Sequence, residues 1–316
     1  MPMAGLNEGA LPMVKEMTER AALLGIRAGR MKGGAMLIDC GSGREVTGSY
    51  EAGCRTVEAA CGGCARAWTG IGAIGPYTLP ILQMNIASPA DACLGALLPL
   101  WKVRAGGEAV SASGPGRALA RRPPRIYQMI EMDEQADDAV VCLDAGWFPD
   151  DDEAGRIAEA CGVGVDRLTI ILAPASGIAG AVMNAALVAG TTVARLIKYG
   201  YESDRILHAS LRVPVPPPSL DAERVRDAAC LGGTVSGTIH LVVAGYDDAI
   251  AGCVSGRCSW TASRDTRLTA PVAELTVTDS RDGSVRRFGA CDPGKALEHF
   301  GIRRRSVRPD RITAIR

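Results

Sequence analysis

The amino-acid sequence predicts an α/β fold, because short apolar runs alternate with segments of helical periodicity. The chain has 316 residues, which is enough for one large domain or two of ordinary size. Its formal net charge is zero, so its composition does not favour a nucleic-acid partner. Eleven cysteines are scattered along the chain, an odd number that is typical of reduced thiols rather than of a disulfide framework. These observations predict a cytoplasmic α/β protein.

The individual elements follow from periodicity and from their end signals. An amphipathic helix, rather than a signal peptide, is expected at the N-terminus, with Asn7 as its cap and Gly25 at its end. Further helices are expected at Glu51–Thr69, Ala90–Val103, Arg117–Ala120, Asp151–Cys161 and Ile178–Ala194. Strands are expected at Ala35–Asp39, Leu79–Ile86, Ala139–Leu143, Leu168–Leu172, Thr238–Val243 and Ala273–Thr278.

The chain is expected to form two α/β subdomains within residues 1–301, with strands that could be interleaved. The proline-rich segment Val213–Pro218 is predicted to link them, since proline cannot donate to a strand ladder. Residues 302–316 form an arginine-rich tail. This tail is predicted to be a solubilising end or, alternatively, a contact for an anion or an acidic partner.

The stretch from Leu168 to Ala194 carries no charged side chain over 27 residues. Its length would suit a membrane span, which needs about 20 apolar residues. Pro174, Gly177 and Asn184 interrupt the run, however, and its many Ala and Gly residues supply little transfer free energy. The better interpretation is a buried strand, a turn and a helix of small residues, without a membrane.

One glycine-rich segment could bind an anion at the start of a helix. Backbone N–H groups there can cradle a phosphate or carboxylate, and an arginine would add a fixed charge. A tight turn before a helix is the alternative interpretation. The segment consists of Ser113, Gly114, Pro115, Gly116 and Arg117.

Cys61 and Cys64 form a lone C-x-x-C. Zinc would require two more ligands, for which Cys253 and Cys258 have unsuitable spacing, and the sequence around the pair does not favour a redox motif. The alternative is that Gly62 and Gly63 let a helix pack close to its neighbour. No histidine lies at metal-ligand spacing, so no metal site is expected.

Taken together, these segments resemble methenyltetrahydromethanopterin cyclohydrolase over about residues 6–301. The ordered segments that carry the resemblance are Leu6-Asn7-Glu8, Ala10-Leu11-Pro12, Ile38-Asp39-Cys40-Gly41, Glu51-Ala52-Gly53, Gly62-Gly63, Leu79-Pro80, Ser113 to Arg117, Ala173-Pro174 with Ile178 and Gly180, Arg224 with Asp227-Ala228, Gly232-Gly233-Thr234, Ala270-Pro271 and Asp282-Gly283.

The resemblance implies a two-domain subunit, a homotrimer, and a tetrahydromethanopterin derivative bound in a cleft between the domains, with no tightly bound cofactor. Ligand contacts are then expected at Ser113–Arg117, at Gly62 and Gly63, and at Gly232 and Gly233. The implied reaction adds water to the methenyl carbon of a cyclic amidinium and gives the N5-formyl product. Such a reaction needs a carboxylate to deprotonate water and a cation to steer that carboxylate.

The chain departs from the family pattern at these groups. The family carries Arg-x-x-Glu where this chain has Leu187 and Gly190, which can neither orient a carboxylate nor take a proton. Arg226 replaces an asparagine, and Leu211–Pro214 replaces a Gly-Thr-Ala-Pro loop. A segment rich in aromatic residues is shortened to the region Ala249–Leu268.

Three functions therefore stay open at the level of sequence. The first is a diverged paralogue that binds a pterin or an anionic ligand without ordinary cyclohydrolase activity, alone or with a cyclohydrolase homologue. The second is an active cyclohydrolase with relocated groups, and the third is a non-catalytic assembly partner. Candidate carboxylates for the second function are Asp39, Glu51, Asp144 and Asp227, with Arg212 or Arg226 as the cation.

Overall fold

Two six-stranded sheets organise the chain, which confirms the predicted α/β class. The computed structural model describes residues 5–42, 45–255 and 272–302. The helices are α1 (Leu6–Glu19), α2 (Ala21–Leu24), α3 (Tyr50–Ala60), a π-helix (Asp91–Leu97), α4 (Gly116–Leu119), α5 (Pro124–Met129), α6 (Asp151–Cys161), α7 (Ile178–Lys198), α8 (Ala222–Ser236), α9 (Asp248–Ser255) and α10 (Pro293–His299). The strands are β1 (Arg27–Arg30), β2 (Met36–Asp39), β3 (Ala65–Ile74), β4 (Tyr77–Ala87), β5 (Trp101–Ala105), β6 (Glu108–Ser113), β7 (Ala139–Asp144), β8 (Leu168–Leu172), β9 (Ile206–Pro214), β10 (Thr238–Val243), β11 (Glu274–Asp279) and β12 (Val285–Gly289).

The first sheet has the order β1-β2-β8-β7-β6-β5, and the second has the order β12-β11-β10-β9-β4-β3. In the first sheet β2, β8 and β7 are parallel, and β6 and β5 continue it as an antiparallel hairpin. The sheets are interleaved along the chain, because β3 and β4 belong to the second sheet and β5 returns to the first. The proline-rich segment 213–218 does not separate them as predicted. Its first two residues end β9, and α8 and β10 come after it, so it lies between two neighbouring strands of the second sheet.

Helix α7 lies in the core, where it packs against α3 and α8 and contacts β4 and β9 of the second sheet. The most apolar part of α7 is 83% buried inside the protein, so the helix has the burial of a core helix rather than of a membrane span. Glycine permits the close contact between α3 and α7, since a Cβ on Gly53 would lie 2.7 Å from Cβ of Val182. The uncharged run is therefore the buried strand β8 followed by a buried helix, as predicted.

Two predicted helices are too long. The segment Glu51–Thr69 ends as a helix at Ala60, and its last residues form the start of β3, which pairs with β4. Likewise Ala90–Val103 is helical only to Leu97 before β5 begins. In both cases strand pairing with a neighbour overrides a local pattern that is compatible with a helix.

The predicted cap at Asn7 is wrong, because α1 begins after Gly5 without a side-chain cap. The Asn7 side chain is fully buried, and it donates to the Pro115 oxygen and accepts from the Val140 N–H, which ties α1 to the first sheet. Several predictions lie outside the described residues, namely those for Cys258, for Ala270-Pro271, for most of the shortened region and for the arginine-rich tail.

Candidate functional site

A cleft of about 480 Å³ opens between the edge of the first sheet and helices α7 and α8. The β5–β6 hairpin and the loop after β7 form one side of it, and α7 and α8 form the other. The volume is in the range of small-molecule sites, which lies at roughly 300–1,000 Å³. The charged residues that line the cleft are Lys102, Glu108, Asp144, Glu223 and Arg226.

Asp144 and Arg226 form an ion pair in this cleft, although they lie 82 residues apart in the sequence. Nε of Arg226 is 2.5 Å from Oδ2 of Asp144, and Nη2 is 3.0 Å from Oδ1. The Ala175 N–H donates to Oδ1 at 2.8 Å. Both side chains are mostly buried, with relative exposures of 28% for Arg226 and 19% for Asp144. The bidentate geometry fixes the carboxylate beside a permanent cation.

Among the residues that the structure describes, three carboxylates and two cations line the cleft. Lys102 is held against the hairpin by a 2.7 Å hydrogen bond from its Nζ to Oγ of Ser111.

Helix α7 contributes no titratable side chain to the cleft: among the residues that the structure describes, its lining positions are Met183, Asn184, Leu187, Val188 and Thr191. Leu187 lines the cleft at the position where the family has arginine. Gly190, at the glutamate position, faces another part of the core. A Cβ on Gly190 would lie 2.8 Å from Cδ2 and 2.9 Å from Cγ of Leu98, which is itself only 3% exposed. The space that a longer side chain would need is thus filled by Leu98.

Most residues of the segment Ser113–Arg117 stabilise the fold and do not line the cleft. Arg117 is completely buried, and its guanidinium donates to the carbonyl oxygens of Leu94, Ala96, Leu98 and Arg122. Three of these oxygens belong to the end of the π-helix and the residue after it, where helix carbonyls lack partners. Burial lowers the pKa of this guanidinium. The positive charge predicted for an anion is therefore engaged by carbonyl oxygens, and within this segment only Ser113 lines the cleft.

Gly114, Pro115 and Gly116 shape the turn before α4. Gly114 has a φ of +94°, which favours glycine, and a Cβ there would lie 2.9 Å from the Val140 oxygen. The Pro115 oxygen accepts the hydrogen bond from Asn7. A Cβ on Gly116 would lie 2.6 Å from Cγ2 of Val141, so this glycine allows α4 to pack closely on the first sheet.

The other candidate carboxylates lie away from the cleft. Glu51 is half exposed on α3 and pairs with Arg20, and Asp227 is exposed on α8. Asp39 is buried and accepts from the N–H groups of Gly41 and Ser42, which orders the loop after β2. The alternative cation Arg212 is on the outer face of the second sheet, where it lines a separate groove. Only Asp144 and Arg226 come together in the cleft.

Four glycines expected to contact a ligand instead allow close packing. A Cβ on Gly62 would lie 2.7 Å from Leu6 of α1, and one on Gly63 would lie 2.2 Å from the Gly9 oxygen. Gly232 and Gly233 accommodate the Phe300 ring and Val188 in the same way. These glycines bring helices together, and none of the four lines the cleft.

Cys61 and Cys64 flank Gly62 and Gly63, where the end of α3 packs on α1. Cys61 is fully buried, and burial raises its pKa well above the usual thiol value. Burial also raises the pKa of Cys64 to about 11. Among residues 5–42, 45–255 and 272–302, no group of three or more His, Cys, Asp or Glu residues is arranged to hold a metal ion. The arrangement is that of neutral, poorly reactive thiols.

Sequence reasoning missed five residues that line the cleft, namely Lys102, Glu108, Trp147, Asn184 and Glu223. A signal for the first two was present. Gly106-Gly107 lies between two segments that pair as β5 and β6, and a Gly-Gly turn between alternating segments predicts a hairpin. No local pattern indicates that Trp147, Asn184 and Glu223 line the same cleft.

The chain thus has an interleaved α/β fold with a cleft beside α7, and comparisons with known proteins identify the class of protein to which it belongs. The family model described as Cyclohydrolase (MCH) matches residues 5–267, so the chain belongs to this cyclohydrolase family.

Several methenyltetrahydromethanopterin cyclohydrolases are similar to the chain over nearly its full length. The protein from Methanospirillum hungatei JF-1 is 28% identical over 316 residues, which cover 95% of this chain and 99% of the relative. The protein from Methanoculleus marisnigri is 28% identical, with 95% and 100% covered. The protein from Methanococcus vannielii is 37% identical over 182 residues, which cover 57% of this chain and 56% of the relative.

Proposed function

We propose that this chain is a diverged cyclohydrolase-family protein that binds a tetrahydromethanopterin-type pterin, or an anionic ligand of related shape, in the cleft and has lost ordinary cyclohydrolase activity. It would act in tetrahydromethanopterin-linked one-carbon metabolism or coenzyme biosynthesis in the cytoplasm. The observation that carries the proposal is the wall formed by α7. Leu187 lines the cleft without a charge, and Leu98 fills the space beside Gly190.

The loss of both groups would matter for the chemistry. Water addition to an amidinium carbon requires removal of a proton from the attacking water, and a positioned acid–base group typically contributes about 10²- to 10⁴-fold to the rate. Leucine and glycine contribute nothing to this step. The relatives are named for a tetrahydromethanopterin substrate, which supports the proposed ligand class. Leu187 and Gly190 replace the family's arginine and glutamate, which supports the loss of the usual reaction.

A second candidate function is an active cyclohydrolase in which Asp144 is the base and Arg226 steers it. Its support is the ion pair itself, which places one carboxylate and one cation in the cleft. In this reaction the water oxygen would bond to the methenyl carbon while Asp144 accepts the water proton. Asp144 would then return this proton to the ring nitrogen that leaves, and the new hydroxyl group would release its proton to solvent as the carbon–nitrogen bond breaks, which gives the N5-formyl product. Against this function, Asp144 already accepts three hydrogen bonds, from Arg226 and the Ala175 N–H, with which a water would compete.

The absorbance decay of methenyl-tetrahydromethanopterin separates the two functions. The diverged function predicts a decay rate with the purified protein equal to the uncatalysed rate, together with saturable binding of tetrahydromethanopterin in a titration. The second function predicts turnover that Asp144→Asn lowers by about 10²-fold or more.

Asp227→Asn is the matched control, since Asp227 is exposed on the same helix as Arg226 and outside the cleft. Turnover that depends on Asp144 but not on Asp227 would refute the diverged function. If tetrahydromethanopterin shows no saturable binding, the proposed ligand class is wrong. Assembly as a homotrimer, or with a cyclohydrolase homologue, stays a prediction that sedimentation of the purified chain would test.

A further inference from the structure

The β5–β6 hairpin forms one wall of the cleft, but the first sheet supports only the inner part of it. The pairing of β6 with β7 ends where Ser111 lies opposite Asp144, the last residue of β7. In the described part of the chain, β5 is the outermost strand of this sheet and pairs with β6 alone. Residues 103–110 therefore extend beyond the sheet as a two-stranded hairpin, a structure that is only marginally stable without further contacts.

One face of this hairpin packs on α6. Trp101, Val103 and Ala105 of β5 belong to the same buried apolar cluster as Ala154 and Ile157 of α6. Apolar packing holds β5 against the helix, but it is not directional. The exact position of the turn must therefore be set by polar contacts.

The turn of the hairpin is bound by one buried carboxylate. Gly106 and Gly107 have φ values of +61° and +82°, as a two-residue type I′ turn requires. The Gly106 N–H donates to Oε2 of Glu153 at 2.8 Å, and the Gly107 N–H donates to Oε1 at 2.9 Å. Glu153 is only 3% exposed. Hydrogen bonds to an ionised acceptor are roughly twice as strong as neutral ones, so this contact fixes the turn on α6.

The capping box of α6 fixes the Glu153 side chain in turn. Oε2 of Glu153 also accepts from the Asp150 N–H at 3.1 Å, and the Asp150 side chain accepts from the Glu153 N–H at 2.7 Å. The carboxylate thus lies at the N-terminus of α6, where the helix dipole favours a negative charge. One side chain therefore caps a helix and holds a turn that lies 46 residues away in the sequence.

The other side of the turn contacts the loop after β7. A Cβ on Gly106 would lie 2.5 Å from Cβ of Trp147, so the turn fits between this loop and the start of α6 only because residue 106 is glycine. The strands that leave the turn carry Lys102, Glu108 and Ser111, which line the cleft. A shift of the turn would move these side chains and change the shape of the wall.

We infer that Glu153 is a positioning residue of the cleft, whose carboxylate holds the overhanging part of the β5–β6 hairpin in the place where it forms the wall for a ligand. Glu153 is not among the described residues that line the cleft, so it acts on binding through the hairpin and does not touch the ligand. The inference deepens the proposed function and rests on it, because the ligand is the proposed tetrahydromethanopterin-type molecule.

The test combines hydrogen exchange of the full chain, followed by mass spectrometry, with equilibrium dialysis against tetrahydromethanopterin. Glu153→Gln keeps the side-chain volume and a residue type that suits a capping box. Its amide nitrogen donates, however, and cannot accept from a glycine N–H. Loss of one charge-assisted hydrogen bond should speed exchange in residues 101–111 by about 10-fold or more. The Kd should rise by about 10-fold, since only molecules with the wall in place bind tightly.

Asp150→Ala is the matched control, because it weakens the same helix cap but leaves both hydrogen bonds to the turn. Asp150 is exposed and lies outside the cleft. This variant should lower the free energy of unfolding and leave both the Kd and the exchange of residues 101–111 at the wild-type values. A Kd raised as much by Asp150→Ala as by Glu153→Gln would show a general loss of helix stability and would overturn the inference.

A second pair of variants decides the question if Glu153→Gln does not fold. Gly106→Ala and Gly107→Ala both place alanine at a positive φ, but only the Cβ on Gly106 meets Trp147, while no atom lies within 4 Å of one on Gly107. Gly106→Ala should therefore raise the Kd more than Gly107→Ala does, and equal values would contradict the inference.

The proposed function and the inference fail in different ways. If the wild-type chain binds tetrahydromethanopterin and Glu153→Gln binds it as tightly, the inference is refuted while the proposed function stands. If the wild-type chain shows no saturable binding, the proposed ligand class is wrong and the inference falls with it. Faster exchange of the hairpin together with a raised Kd in Glu153→Gln, and neither in Asp150→Ala, supports both.

Discussion

The substitution Gly190→Ala tests whether the family's carboxylate position has been closed by the core. The added Cβ would lie 2.8 Å from Cδ2 and 2.9 Å from Cγ of Leu98, closer than a carbon–carbon contact allows. Leu98 is 3% exposed, so it cannot move aside into solvent. The same substitution at an open position in a helix would stabilise the protein, because alanine has the higher helix propensity.

The magnitude follows from these two opposing effects. Replacing glycine by alanine inside a helix contributes about 1 kcal/mol of stability. Overpacking by one methyl group in a tight core costs ~1–3 kcal/mol. We therefore expect Gly190→Ala to leave the free energy of unfolding unchanged or to lower it by about 2 kcal/mol. Gly155→Ala is the matched control, since no atom lies within 4 Å of a Cβ on Gly155 in α6. It should raise the free energy of unfolding by about 1 kcal/mol.

The assay is urea unfolding followed by circular dichroism and by tryptophan fluorescence, with coincident transitions required for each variant. A second measurement uses Leu98→Ala, which should cost less in the Gly190→Ala background than alone because the two side chains compete for one space. If Gly190→Ala is as stabilising as Gly155→Ala, the space beside residue 190 is open. A carboxylate would then still fit beside residue 190, and the proposed closure of this position by Leu98 would be wrong.

Three further predictions concern the ion pair, the buried arginine and the thiols. A double-mutant cycle of Asp144→Asn and Arg226→Leu should give a coupling of ~1–2 kcal/mol in the free energy of unfolding, between the values of exposed and buried pairs; a coupling near zero would mean that the pair is not formed in solution. Arg117→Met should lower the free energy of unfolding by about 3 kcal/mol or more, since Arg117 donates to four carbonyl oxygens and each buried acceptor left unsatisfied costs ~1–3 kcal/mol. The exposed Arg121, which pairs with Asp133, is its control, and Arg121→Met should cost at most about 1 kcal/mol. Burial raises the pKa of Cys40 and of Cys161 from 9.0 to about 12, so the native state holds these protons when the unfolded chain has lost them. The free energy of unfolding should therefore fall as the pH rises from about 9 towards 12, and urea titrations between pH 7 and pH 10.5 that show no loss would contradict the burial of these thiols.

Local signals in the sequence were sufficient for several elements. The strands β8 and β10 have the predicted bounds, and so does α6. The bounds of α6 follow from a capping box, in which Asp150 accepts from the Glu153 N–H and Glu153 accepts from the Asp150 N–H, and from Gly162 in the left-handed conformation at its end. Such signals can be read from the sequence because all their partners lie within a few residues.

The candidate site could be predicted only in part, because its residues lie far apart in the sequence. Asp144 and Arg226 were among the candidates, but the sequence could not choose them over Asp39, Glu51, Asp227 and Arg212. The choice depends on the packing of α8 beside the end of β7. The role of Glu153 also depends on tertiary structure. It follows Asp150, Asp151 and Asp152 in the sequence, yet it is only 3% exposed and accepts hydrogen bonds from the N–H groups of Gly106 and Gly107.

The sequence by itself determined the α/β class, the family and the absence of the Arg-x-x-Glu groups, because these depend on residue types in order along the chain. Tertiary structure decided what each remaining charge does. Arg117 is committed to carbonyl oxygens, Arg212 lies on an outer face, and Arg226 reaches Asp144 in the cleft. Burial and distance between residues far apart in the chain control these roles, and neither quantity is encoded in any short segment.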